Sequence, residues 1–302
     1  AAEGIGFYGL GTIQHSVLSA QKTHKIGIIL QQKGRRFYRN LGDSLASEAA
    51  SRSDETVELT LDYLEELSPE RVAERLIALG QTCESVALVG AQHTLVADAI
   101  DTVMEMGVPV TSLIAPLFAK KNVNYVGLDA WKVGRTAAWM FDKAIRDPGK
   151  IGILLGNHRY RNQEMNESGF RSYFREHNSN FTLLEPLATY ESAVAGRELV
   201  EGLFKDHPDL CGLFISGGGT TGALAALQEA PKRDDFVAVG YELFDKTREA
   251  LIDGTLTMVI SHPMEKLAKE AITALIQAKK AGPDGGALRV ALGFEIHTSE
   301  NM

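Results

Sequence analysis

The phrase Lys-Ile-Gly-Ile-x-Leu occurs twice, at Lys25–Leu30 and Lys150–Leu155, and each copy opens a train of short apolar runs separated by amphipathic stretches. An apolar run of roughly four to eight residues without polar alternation reads as a strand buried on both faces. Such strands need helices above and below, which is the parallel βαβ arrangement. The repeat predicts an α/β fold of two doubly wound parallel-sheet lobes, with a hinge and a ligand cleft between them. Asp147-Pro148-Gly149 breaks the rhythm, and the second half begins there.

In the first half, strands are expected at 25–30, 56–60, 85–89, 107–110 and 124–128. Helices are expected near 38–52, from Ser68-Pro69 onward, at 94–106 and at 131–146. Ser68 has the side chain of an N-cap and Pro69 suits a first helical position. In the second half, helices near 163–177, 192–205, 220–229 and 245–253 alternate with strands at 181–187, 211–215, 236–239 and 256–260. A last helix at 263–280 and a closing strand at 287–296 follow. The expected partition is 24–147 with 263–282 for the first lobe, and 148–262 with 283–302 for the second. A chain of 302 residues has the length for two domains.

The formal charge of −8 argues against these residues forming a DNA-binding surface by bulk electrostatics. No apolar run is long enough to span a bilayer, so no membrane partner is expected. The first residues, Ala-Ala-Glu-Gly-Ile-Gly-Phe-Tyr, show no basic-then-apolar leader, and the missing initiator Met suggests a start inside a longer protein. Cys83 and Cys211 lie in or beside apolar segments and read as buried thiols. Without a CxxC or a Cys/His cluster, no metal and no cofactor is expected.

Open parallel sheets bind ligands beyond the carboxyl ends of their strands, so the residues after each strand carry the functional argument. Ser216-Gly-Gly-Gly-Thr-Thr-Gly222 is a glycine-rich turn that opens a helix, but it lacks the Lys of a phosphate loop. Ser216 and Gly217 remain candidates as places where backbone approaches a ligand. No GxSxG or HExxH occurs, and no enzymatic activity is expected. Asp129 and Glu242 each follow an apolar strand; a carboxylate there can accept from vicinal sugar hydroxyls, and Asp129 can equally cap a helix. Phe37, Tyr38 and Trp131 offer flat faces for a sugar ring. His93 and His262 follow strands and could wall a pocket. Arg159 and Asn162 lie in a basic loop, His158-Arg-Tyr-Arg-Asn162, and an inward arginine there would suit a phosphorylated or acidic sugar.

Several phrases together resemble the effector-binding part of lac repressor (LacI/GalR) family transcription regulators, a fold shared with ribose-type periplasmic sugar-binding proteins. They are His24–Leu30, Val126-Gly-Leu-Asp129 with Val133-Gly-Arg-Thr-Ala-Ala138, Glu167-Ser-Gly-Phe170, Val239-Gly-Tyr-Glu242 and Asp253–Pro263, the last most like the ribose-binding branch. The resemblance covers about nine-tenths of the chain and implies a cytoplasmic, homodimeric repressor sensing a small sugar, with operator DNA bound through a missing helix-turn-helix headpiece. Residues 1–23 would be the remnant of that headpiece and its hinge, with Leu18 where the family's minor-groove wedge leucine stands. Asn166 stands where the family often has Arg, Ser216-Gly217 replaces an Asn-Asp pair, and Glu242 and His262 replace Asp and Gln. A periplasmic sugar-binding protein of an ABC transporter is the alternative, and an enzyme using the glycine-rich turn a further one.

Overall fold

A computed structural model describes residues 23–53, 55–177, 180–282 and 285–302. Leu18 lies outside the described residues. The first sheet runs β12-β5-β4-β3-β1-β2, and every neighbouring pair in it is parallel. Its strands are β1 (Thr23–Gln31), β2 (Thr56–Leu64), β3 (Ser85–Leu88), β4 (Val110–Leu113), β5 (Asn124–Leu128) and β12 (Arg289–Leu292). The second runs β13-β11-β10-β9-β6-β7, with β8 also on β6, and is parallel except for β13 against β11. It is built from β6 (Lys150–Leu155), β7 (Thr182–Leu183), β8 (Leu187–Ala188), β9 (Leu210–Ile215), β10 (Val237–Tyr241), β11 (Met258–Ser261) and β13 (Glu295–His297). The two-sheet α/β architecture expected from the repeated phrase is the one observed.

β1 shows why an unalternated apolar run makes such a sheet. Ile26, Ile28 and Leu30 bury in one core cluster and Ile29 in another, so both faces are covered. The first cluster holds residues of α1 (Arg36–Ser51) and α9 (Met264–Ala281), and the second those of α2 (Pro69–Thr82) and α3 (Thr94–Glu105). Ser68 caps α2 by accepting from the Arg71 amide at 3.4 Å, with Pro69 in the first turn.

Two placements differ from the partition expected from sequence. The helix α4 (Ala130–Ala144) was expected with the first lobe, yet it packs on the second sheet. Its Phe141 meets Phe170 of α5 (Arg161–Glu176) edge-on at 5.4 Å, and Phe170 stacks on Phe214 of β9 at 5.0 Å. Asp147-Pro-Gly149 is only the turn from α4 into β6, and the chain has already crossed after Leu128. The expected closing strand is likewise two strands, β12 in the first sheet and β13 in the second, parted at Gly293-Phe294. The remaining crossing lies between β11 and α9. An amphipathic helix or strand has the same residue pattern whichever lobe it covers, so periodicity could not assign these pieces.

The second sheet carries α6 (Ala193–Asp206), α7 (Thr220–Glu229) and α8 (Asp245–Ile252) as well. In α6, a Cβ on Gly202 would meet nothing within 4 Å. Gly202→Ala should therefore raise stability by about 0.5–1 kcal/mol, because it removes backbone freedom from the unfolded chain only. A urea titration checks this, and a lowered midpoint would contradict it.

Candidate functional site

The carboxyl ends of the two sheets meet around a cleft of about 510 Å³. The first lobe contributes the opening turn of α1, with Arg35, Phe37, Tyr38 and Arg39, and Ile114 from the end of β4. From the second lobe come Tyr160, Asn162 and Gln163 at the start of α5, Glu191, the glycine turn Gly217–Gly219 before α7, and Tyr241 and Glu242 at the end of β10. This volume falls within the usual range for small-molecule sites.

Side chains from opposite sheets bind each other across it. Gln31 Nε2 donates to the Tyr160 hydroxyl at 2.7 Å, Arg35 pairs with Glu191, and Arg36 Nη2 lies 3.2 Å from Asp245 Oδ2. The Arg35–Glu191 pair is half-buried, whereas Arg36 and Asp245 are exposed and their pairing adds little. Burial works against the Arg35 charge, but the charge and hydrogen bond of Glu191 outweigh it and hold the guanidinium above its ordinary pKa.

Backbone strain concentrates here. Ile114, Glu191 and Glu242 have φ of 69°, 63° and 69°, and all three line the cleft. Left-handed backbone costs a non-glycine residue about 1–3 kcal/mol, most for a β-branched one, and persists where surrounding contacts impose it.

The tyrosines stay neutral. Burial drives the Tyr38 and Tyr241 hydroxyls well above their ordinary pKa, Tyr38 also by the nearby Tyr160 and Tyr241 by the Glu242 charge. Tyr160 is pushed up to about 12, by burial first and the Glu191 charge second. They can give and take hydrogen bonds, but none is poised as a base. Among the described residues no group of three or more His, Cys, Asp or Glu could hold a metal ion, and no helix is long and apolar enough to cross a membrane.

Of the residues singled out in the sequence, Phe37, Tyr38, Asn162, Gly217 and Glu242 line the cleft. Asn166, Ser216 and His262 stand directly behind its wall. The fully buried Asn166 amide hydrogen-bonds Ser216 Oγ at 3.0 Å; with Oδ1 accepting there, Nδ2 reaches the carbonyls of Asn162 and Ala130. The Glu242 carboxylate accepts from His262 Nδ1 at 2.5 Å and from the His262 amide at 3.3 Å.

The other four do not reach the cleft. Asp129 caps α4, accepting from the Lys132 amide at 3.2 Å and pairing with Lys132 Nζ at 3.3 Å. That lysine lies one turn on in the sequence and neutralises a carboxylate that reads as free when only adjacent residues are considered. Trp131 is exposed on the same helix, and its backbone packs against Gly169. His93 caps α3 with Nδ1 toward the Leu95 amide. Arg159 contributes its carbonyl, which accepts from the Gln92 amide at 2.9 Å and ties loops of the two lobes together.

Sequence reasoning passed over Arg35, Tyr160, Gln163 and Tyr241, although all four sit in strand-end segments. Glu191 follows the two-residue strand β8, which leaves no apolar run to mark it.

The family described as periplasmic binding protein domain matches residues 26–283. The D-apiose import binding protein of Paraburkholderia graminis is 21% identical over 292 residues, which cover 94% of this chain and 90% of that protein. An ABC transporter periplasmic solute-binding protein from Actinobacillus succinogenes, solved with D-allose, superposes with a TM-score of 0.80 at 17% identity over 92% of this chain and 98% of its own. A solute-binding protein from Agrobacterium vitis, bound with α-D-tagatopyranose, gives 0.81 at 16% identity over 92% and 95%. At such identities these structures show the fold alone. They and the curated relative are described as transport-associated binding proteins. They overturn the expectations of a LacI-type regulator, of operator DNA as partner and of a cytoplasmic location, and favour the transporter alternative. The dimer expectation rested on hinge helices within residues 1–22, which are outside the described residues.

Proposed function

We propose that this chain, which belongs to the periplasmic binding protein domain family, captures a small sugar between its two lobes outside the cytoplasm and delivers it to a membrane importer. The observation that carries this reading is a buried polar atom of a cleft-lining side chain without a partner, Asn162 Oδ1, with His262 Nε2 likewise unpartnered behind the wall. An unpaired buried group costs about 1–3 kcal/mol, and a hydroxyl-rich ligand is the chemistry that satisfies Asn162. Glu242 adds acceptor lone pairs to the same wall. Phe37 and Tyr38, edge to face at 5.1 Å, supply apolar surface for the C–H face of a sugar ring. The relatives' sugars, D-apiose, D-allose and D-tagatose, support a single-ring ligand of that size. Asn166 and Ser216 act one layer back, orienting Asn162 and the glycine turn.

A thermal-shift screen of pentoses, hexoses and their derivatives tests the reading. A bound sugar at one hundred times its Kd should add about 2.7 kcal/mol of stability. If no carbohydrate in the screen moves the transition, sugar capture is wrong.

A further inference from the structure

One end of the cleft is occupied by the protein's own carboxylate. Glu191 reaches it from left-handed backbone, directly after Tyr190, which has φ 51° and a side chain 74% exposed. The carboxylate takes the Arg35 guanidinium from the opposite lobe, and Gln163 Nε2 lies 3.4 Å from Oε1. It rests against the glycine turn so closely that a Cβ on Gly156 or on Gly218 would collide with it. That turn leads into α7, whose N-cap, Gly219, offers no side chain to the first amides. A cation from one lobe and an amide donor from the other thus converge on one carboxylate, packed against the turn that opens a ten-residue helix.

Among the described residues, the charged side chains lining the cleft all have a side-chain partner except Arg39. Asp245 is taken by Arg36, Glu242 by His262 and Lys246 by Glu249. Arg39 lies one helical turn beyond Arg35 on the same face of α1, lines the cleft, and its guanidinium has no partner among the described residues. Asn162, 5% exposed in the same cleft, has an unpartnered Oδ1 that points to a ligand there and not only to an internal ion pair.

We infer that the captured sugar carries an anionic group, a carboxylate or a phosphate, which replaces the Glu191 carboxylate against Arg35 while Arg39 supplies a second cation. The exchange is favourable for three reasons. Arg35 keeps a partner throughout, so its burial is never left uncompensated. Glu191 returns to water, where its charge is solvated. Residues 190–191 relax from left-handed backbone, and the exposed Tyr190 side chain does not hold them in place. This inference rests on the sugar-capture reading and narrows its ligand class.

Isothermal titration of the full chain compares D-glucose and D-galactose with their uronates and 6-phosphates, and with inorganic phosphate alone. At least one charged sugar should bind about tenfold or more tighter than its neutral parent, the scale of one charge-assisted hydrogen bond. Glu191→Gln should tighten the charged sugar by about tenfold again, and Arg35→Gln should erase the preference. The uronate and phosphate arms tell the two anions apart. Neutral parents that bind as tightly as their charged derivatives overturn this inference and leave sugar capture standing, and that comparison needs no variant to fold. Inorganic phosphate binding as tightly as the sugar phosphates, or a preference indifferent to both substitutions, also overturns it. Failure of every carbohydrate, charged or neutral, overturns both readings.

Discussion

Gly134→Val is expected to lower the melting temperature by about 6–12 °C, taking ~3 kcal/mol of overpacking and 2–4 °C per kcal/mol for a lobe of this size. α4 and α5 approach backbone to backbone. A Cβ on Gly134 would collide with the Asn166 carbonyl and lie 2.8 Å from the Phe170 amide, while one on Gly169 of the facing helix would collide with the Trp131 carbonyl. Neither obstacle is the end of a flexible side chain, so only separation of the helices relieves the clash. Separation would open the Phe141–Phe170–Phe214 stack and pull Asn166 from Ser216 Oγ. Stability and sugar affinity should therefore fall together in calorimetric melts and titrations. A melt within roughly 2 °C of the unsubstituted protein would show that the helices can part at little cost.

The same helix pair marks how far the sequence could be read. The doubly wound architecture was legible because parallel strands buried on both faces leave unalternated apolar runs, as in Ile26–Leu30 and Ile151–Leu155. The start of α2 was legible because its cap is local chemistry between Ser68, Pro69 and Arg71. The lobe that α4 covers was not, since its stripe of Val133, Ala137, Ala138 and Phe141 would suit either core. The facing glycines, Gly134 in α4 and Gly169 in α5, were the available signal. Each demands a backbone as neighbour: Gly134 meets that of Asn166 and Phe170, and Gly169 that of Trp131.

The site divides along the same line. Glu242 was legible because it directly follows a strand, and the aromatic pair Phe37 and Tyr38 because it lies in the loop-to-helix segment after β1. Asp129 follows one too, but a carboxylate at a strand-to-helix junction has free amides beside it, and capping satisfied it before any ligand could. Arg35 and Glu191 lie 156 positions apart and become a site only through lobe closure, which no local pattern encodes.

Glu242→Ala should weaken sugar binding by roughly 10²–10⁴-fold, the loss of up to two hydrogen bonds to a charged group at about 1.5–3 kcal/mol each. The carboxylate has four lone-pair positions, of which His262 Nδ1 and the His262 amide use two. The side chain is 13% exposed at the cleft wall, so the remaining pair faces a largely desolvated space. Removing the carboxylate also strips His262 Nδ1 of its partner. With Nε2 already unpartnered, both nitrogens of a fully buried ring would go unsatisfied, and the free protein should lose about 1–3 kcal/mol. The backbone separates the two effects. At φ 69° alanine keeps the left-handed strain that glycine relieves, so Glu242→Gly should be the more stable variant by about 1 kcal/mol. Sugar affinity should nevertheless be equally poor in both, because neither restores an acceptor. Titration and thermal melts of the two variants side by side decide the matter: affinity within roughly threefold of the unsubstituted protein, far short of the 1.4 kcal/mol that makes a decade, would remove Glu242 from the ligand contacts and leave it as the support of His262 alone.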